Sequence, residues 1–191
     1  MGPTDRRLAE GDVLIIDTGT TFDGYFCDFD RNFAFGAPDA AAGRAHRVVF
    51  DATEAGLRAA RPGATAAAVW AAMAEVLEAG GSLGNQVGRQ GHGLGMQLTE
   101  GLSLMPGDET VLTPGMVITI EPGMSFAPGK VMVHEENVVI TEDGAELLTH
   151  RAPPEMPIMT NFERRSKDGS KVRERRRPKS PSTPTTTMWR C

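Results

Sequence analysis

The chain has 191 residues, 40% of them hydrophobic and 24% charged, with 20 Lys/Arg against 25 Asp/Glu and a formal net charge of −5. That length suits one globular domain with a sizeable core, and the composition excludes collagen-like and wholly disordered classes. No apolar run reaches the roughly 18 residues of a membrane helix, and the opening MGPTDRRLAEGD has no apolar signal core. With two cysteines, Cys27 and Cys191, too few for a disulfide framework, the expected location is cytoplasmic.

The charge is unevenly divided. Residues 161–191 carry ten Lys/Arg and three Asp/Glu, whereas residues 1–160 carry ten and 22. An acidic body disfavours nucleic acid as a partner and suits a protein that holds cations.

In chain order, GDVLIIDTG at 11–19 predicts a buried strand over 13–16 that ends at Asp17. Residues 22–24 supply turn chemistry, and 25–35 read as one or two further strands closed by Gly36. A helix starts near 37–39. Ala45, Val48, Val49, Ala52, Ala55, Gly56 and Ala59 form its apolar face, and Arg61-Pro62-Gly63 stops it. Thr65 caps a second helix that turns Val69, Met73, Val76 and Leu77 inward and ends at Gly80-Gly81. A glycine-rich stretch covers 80–95. Strands then follow over 116–120, 131–140 and 146–148. Paired strands, paired helices and then hairpins give an α+β order rather than alternating βαβ units.

Residues 161–191 differ in kind. The run RERRRPK at 173–179 precedes SPSTPTTT at 180–187. Such a segment buries too little apolar surface to offset its ordering entropy, so a disordered basic, Pro/Ser/Thr-rich tail is expected there. Its Lys/Arg could bind phosphate non-specifically, but it lacks the interleaved aromatics of a nucleic-acid binder.

Asp17 ends an apolar strand, Asp28 lies between Cys27 and Phe29, Glu121 follows MVITI directly, and Glu135 stands inside 131–140. A carboxylate in a buried strand is expensive unless a positive partner neutralises it. Basic residues are scarce in these strands, so metal ions are the economical partner. His92 adds an imidazole within GHGLG, whose glycines allow close backbone approach. Four carboxylates and one imidazole make an oxygen-rich set suited to two divalent ions. A bridging water could then ionise near neutral pH and attack a carbonyl. Plainer roles stay open: Asp17 could cap a turn at Thr18-Gly19, and Glu121 could face solvent before Pro122-Gly123.

The blocks GDVLIIDTGTTFDGYFCDFDRNFAFG, GHGLG, ITIEPG and HEENVVIT, in this order, resemble the signature blocks of the pita-bread metallopeptidase superfamily. That group contains methionine aminopeptidase, aminopeptidase P, prolidase and creatinase. RPGATAAAVWAAMAEVLEAGG resembles its paired-helix segment, and the match covers about 10–150. The resemblance implies a pita-bread fold. It implies that Asp17, Asp28, His92, Glu121 and Glu135 bind two divalent ions, manganese first, with cobalt, iron or zinc as alternatives. It implies that Glu121 also shuttles a proton, that Glu135 bridges, and that the protein is a homodimer. Asp28-x-x-Arg31 fits the branch that cleaves before proline, so the implied activity is Xaa-Pro peptide hydrolysis.

Three departures qualify this. Thr99 stands where the peptidases usually carry a histidine that binds the substrate carbonyl, which makes Thr99 the candidate to hold that group. Val133 replaces an arginine of the proline-specific branch, with His134 beside the ligand. The catalytic domain of the family also has more chain ahead of the first aspartate strand, so residues 1–160 are expected to be a partial catalytic domain, truncated at the N-terminus. The altered substrate side keeps a second chemistry open, hydrolysis or elimination at a small-molecule C–N bond. The missing half-domain keeps open an inactive fragment.

Overall fold

The structure, a computed structural model, describes residues 5–84 and 88–159. The expected tail at 161–191 lies outside them.

The first strand does not stop at Asp17. β1 (Val13–Phe22) and β2 (Tyr25–Phe35) form one long antiparallel hairpin that runs from Val13↔Ala34 to Phe22↔Tyr25. The turn is Asp23-Gly24, both at positive φ, as a two-residue hairpin loop requires. β1 is also not buried. Its first three residues are half-buried and the rest exposed, because it is the edge of a three-stranded sheet ordered β1, β2 and β10 (Ile158–Met159).

α1 (Ala40–Ala59) starts where Asp39 accepts the Ala42 N–H at 2.7 Å. Its expected apolar face is buried at Ala45, Val49, Ala52, Ala55 and Gly56, together with His46 and Thr53. α2 (Ala66–Ala79) starts at the Thr65 cap and buries Val69, Met73 and Leu77. Gly56 lets the helices meet: a Cβ there would stand 2.7 Å from Met73 Sδ and 2.9 Å from Ile120 Cγ2.

Among the described residues, seven strands lie between α2 and β10: β3 (His92–Gly93), β4 (Glu100–Ser103), β5 (Val117–Ile120), β6 (Gly123–Ala127), β7 (Lys130–Val133), β8 (Glu136–Thr141) and β9 (Gly144–Leu147). Five of them form a sheet ordered β4, β3, β5, β8, β9, while β6 and β7 pair alone. α1 packs on β5, β6, β7 and β9, and Met73, Leu104, Leu112, Ile118, Ile120 and Met132 fill the space between.

The strand expected over 131–140 is two strands. They belong to different sheets, and the chain leaves one for the other at His134-Glu135. Glu135 therefore sits at a junction rather than within a ladder. Among the described residues, no helix is long and apolar enough to cross a membrane.

Candidate metal centre

His92 is the fixed point of the site. It is 2% exposed and is held by two local bonds. Its N–H donates to Thr119 Oγ1 at 3.0 Å, and its Nδ1 lies 3.0 Å from the Gly93 carbonyl. A carbonyl only accepts, so Nδ1 carries a proton, and in the neutral ring the lone pair is then on Nε2. That second bond also fixes the ring, as at most metal-binding histidines. The glycines on either side serve this close packing. A Cβ on Gly91 would stand 2.3 Å from the Thr119 carbonyl oxygen, and one on Gly93 2.0 Å from that of Glu100.

Nε2 faces carboxylates. It lies 3.7 Å from Asp28 Oδ2 and 4.0 Å from Glu121 Oε1. Asp28, His92 and Glu135 each offer a ligand atom within 4.8 Å of the others. These separations exceed hydrogen-bonding range but suit atoms that surround a cation at about 2.0–2.2 Å. Asp28 is fixed through Asn137 on β8, which accepts the Asp28 N–H at 3.0 Å and donates to the Asp28 carbonyl. Glu121 follows β5 and lies 3.6 Å from Arg89 Nε.

The electrostatics point the same way. Burial, then the neighbouring Glu121 and Asp28, push the Glu135 carboxyl up to about 10. Burial and Asp17 raise Asp28, and burial raises Glu121. Glu135 is 3% exposed, and its Oε1 is buried without a hydrogen-bond partner among the described residues. A buried carboxylate cluster with an orphaned oxygen and a lone-pair imidazole fits a divalent cation. The expected residues Asp28, His92, Glu121 and Glu135 thus come together. Asp17 is exposed on β1 and is not one of the three-residue group; it pairs across the hairpin with Asp30, and its charge reaches Asp28.

Thr99 is exposed in the loop that joins β3 to β4. His134 does not take over the role of the missing arginine. It is 1% exposed and turned inward, with Nε2 3.2 Å from His46 Nδ1, and burial holds it neutral with a pKa of about 2. Val133 is half-buried at the end of β7.

Several supporting residues escaped the sequence reading. Glu136 is fully buried. Its carboxylate accepts from Arg31 at 3.0 Å, Arg151 at 3.2 Å, the Ala152 N–H at 2.8 Å and the Thr149 hydroxyl. Arg31 also donates to the Glu135 carbonyl at 3.0 Å, which ties the junction to β2. Asn137, Thr119 and Arg151 gave no signal, because their partners lie far along the chain. Asp30 had one, a second strand carboxylate two residues after Asp28.

Mixed helix and sheet, with Asp28, His92, Glu121 and Glu135 gathered where the hairpin meets β3, β5 and β8, define a pita-bread protein. The sequence matches the family model of metallopeptidase family M24 over residues 1–142, and the chain belongs to that family. It is 38% identical over 160 residues to a probable dipeptidase PepE of Mycobacterium bovis, a match that covers 83% of this chain and 42% of that protein. The crystal structure of dipeptidase PepE from Mycobacterium ulcerans superposes with a TM-score of 0.77 at 36% identity, covering 83% of this chain and 43% of that one. Prolidase from Pyrococcus furiosus gives a TM-score of 0.74 at 33% identity, covering 78% and 44%. The chain therefore spans less than half the length of these relatives.

Proposed function

We propose that this chain carries the metal-binding part of a dinuclear metallohydrolase that cleaves the peptide bond before proline. One observation carries the reading: Asp28, His92 and Glu135 converge from three segments, with Glu121 beside them. The ligand set is Asp17, Asp28, His92, Glu121 and Glu135, with manganese the first candidate ion. Similarity to prolidase and dipeptidases favours a peptide substrate, and the family resemblance implies a homodimer.

Two divalent ions held there would polarise an amide carbonyl and lower the pKa of a water. The protein has three tasks. His92, with Nδ1 protonated, presents Nε2 as a neutral ligand. Glu135 and Asp28 supply negative charge from fixed backbone. Glu121, half-buried and raised by burial, takes a proton from the attacking water and returns it to the leaving amine.

The test is metal content and kcat/KM on an Xaa-Pro dipeptide with Mn²⁺. Asp28→Ala and Glu135→Ala should each lose at least one ion. Glu121→Gln should lower kcat by about 10²-fold or more, the usual size of a general acid–base contribution. Wild-type metal content in both alanine variants removes the site as drawn. A second reading, a small-molecule C–N hydrolase or lyase, is favoured by the exposed Thr99 and the inward His134. Turnover of a non-peptide amide without Xaa-Pro cleavage would bring it forward.

A further inference from the structure

Asp30 is an aspartate that the proposed ligand set leaves unused. It stands two residues from Asp28 on β2, so strand alternation puts both side chains on one face. Its direct cross-strand partner on β1 is Asp17, and Gly19 pairs with Asp28. Directly paired residues share a face with Cβ atoms about 4.5–5.5 Å apart, where like charges repel. The hairpin thus brings Asp17, Asp28 and Asp30 to one patch.

Asp30 is 2% exposed, and its Oδ1 is buried with no hydrogen-bond partner among the described residues. An unpaired buried carboxylate is costly. Arg31 does not resolve this, because its N–H groups go to Glu136 at 3.0 Å and to the Glu135 carbonyl at 3.0 Å. The charge of Asp30 is felt by Glu135 and itself feels Glu121 and Asp17. Its orphaned oxygen therefore belongs to the same electrostatic neighbourhood as the orphaned Glu135 Oε1.

We propose that Asp30 is a further metal-binding carboxylate of this centre, sharing its cation with Asp17. The inference rests on the metal-centre reading above. A further oxygen donor favours a hard, higher-coordinate ion such as Mn²⁺ over four-coordinate Zn²⁺.

The test is calorimetric titration of the full chain with Mn²⁺ and with Zn²⁺, for wild type, Asp30→Asn and Asp30→Ser, plus melting with chelator and with Mn²⁺. Both substitutions should weaken Mn²⁺ binding at one site by about 10-fold or more. Zn²⁺ binding should suffer less, so the Mn²⁺/Zn²⁺ preference falls. With chelator, Asp30→Asn should melt at or above wild type, since a buried unpaired charge is gone, and its gain in Tm with Mn²⁺ should shrink. Unchanged stoichiometry and affinity for Mn²⁺ in both variants overturn the proposal. Should Asp28→Ala lose metal while Asp30→Asn keeps it, Asp30 falls and the centre stands. A wild-type chain that binds neither ion overturns both.

Discussion

Thr99 stands where the family resemblance implies a histidine that binds the substrate carbonyl. A threonine hydroxyl donates one hydrogen bond but cannot offer an oxyanion the charge of an imidazolium. Loss of one such donor typically costs about 10²–10³ in rate. If the Xaa-Pro reading holds, Thr99→His should raise kcat/KM on an Xaa-Pro peptide, with metal content matched between the two proteins. A threonine protein that is already the faster of the two would mean that another group holds the carbonyl.

Buried carboxyls and a buried imidazole give the metal-free protein a two-sided pH profile. A carboxyl raised on folding contributes stability that is full below its unfolded pKa and is lost as pH rises through the folded value. Glu135 covers the span from 4.5 to about 10 and Asp30 from 3.8 to about 7. His134, lowered from 6.5 to about 2, acts oppositely: its contribution is full above 6.5 and is lost as pH falls. Above 6.5 the carboxyls act alone, so Tm in chelator should decline towards alkaline pH. Mn²⁺ should flatten that decline by neutralising the cluster. A metal-free Tm that is level or rising between about pH 7 and 9 would contradict the assigned burial.

At the scale of elements, β2 and β8 are joined by a buried ion pair. The Glu136 side chain is fully buried and that of Arg31 is 20% exposed. Removal of one partner from such a pair leaves a buried charge uncompensated, which typically costs about 3–5 kcal/mol. Arg151 at 3.2 Å still bonds Glu136, so Arg31→Leu should cost about 3 kcal/mol, the low end of that range. Adding Glu136→Gln should restore part of the loss, because the orphaned charge is then absent. Denaturant unfolding of the single and double variants decides this. A loss that grows in the double variant would show that Arg31 acts through packing, for instance its stacking at 5.1 Å over Phe29.

At the scale of the whole molecule, the described architecture closes with β10 lying parallel to β2 through Ile158↔Ala34 and Met159↔Phe35. The basic, Pro/Ser/Thr-rich composition of 161–191 offers little apolar surface to pack on this architecture. Deletion of 163–191 is therefore expected to leave metal content and Tm unchanged, and limited proteolysis of the full chain should cut there first. Loss of folding on deletion would show that the segment packs on the acidic body.

The sequence by itself determined the two helices and their caps, the α+β order and which carboxylates and imidazole to consider as candidate ligands. Those signals are local: a capping aspartate or threonine, a 3.6-residue apolar period, and carboxylates where a strand should be apolar. It misread β1 as buried, since an apolar run does not say whether a strand lies at an edge. It also joined β7 to β8, since hydropathy is continuous across a change of sheet. Only the tertiary structure decided which side chains meet. Asp28 reaches Asn137 across 109 positions, and Arg31 reaches Glu136 across 105. No local pattern encodes contacts of that separation. The same folding turned His134 away from the site and left Asp30 buried beside it, because strand register and sheet order, not residue type, fix where a side chain points.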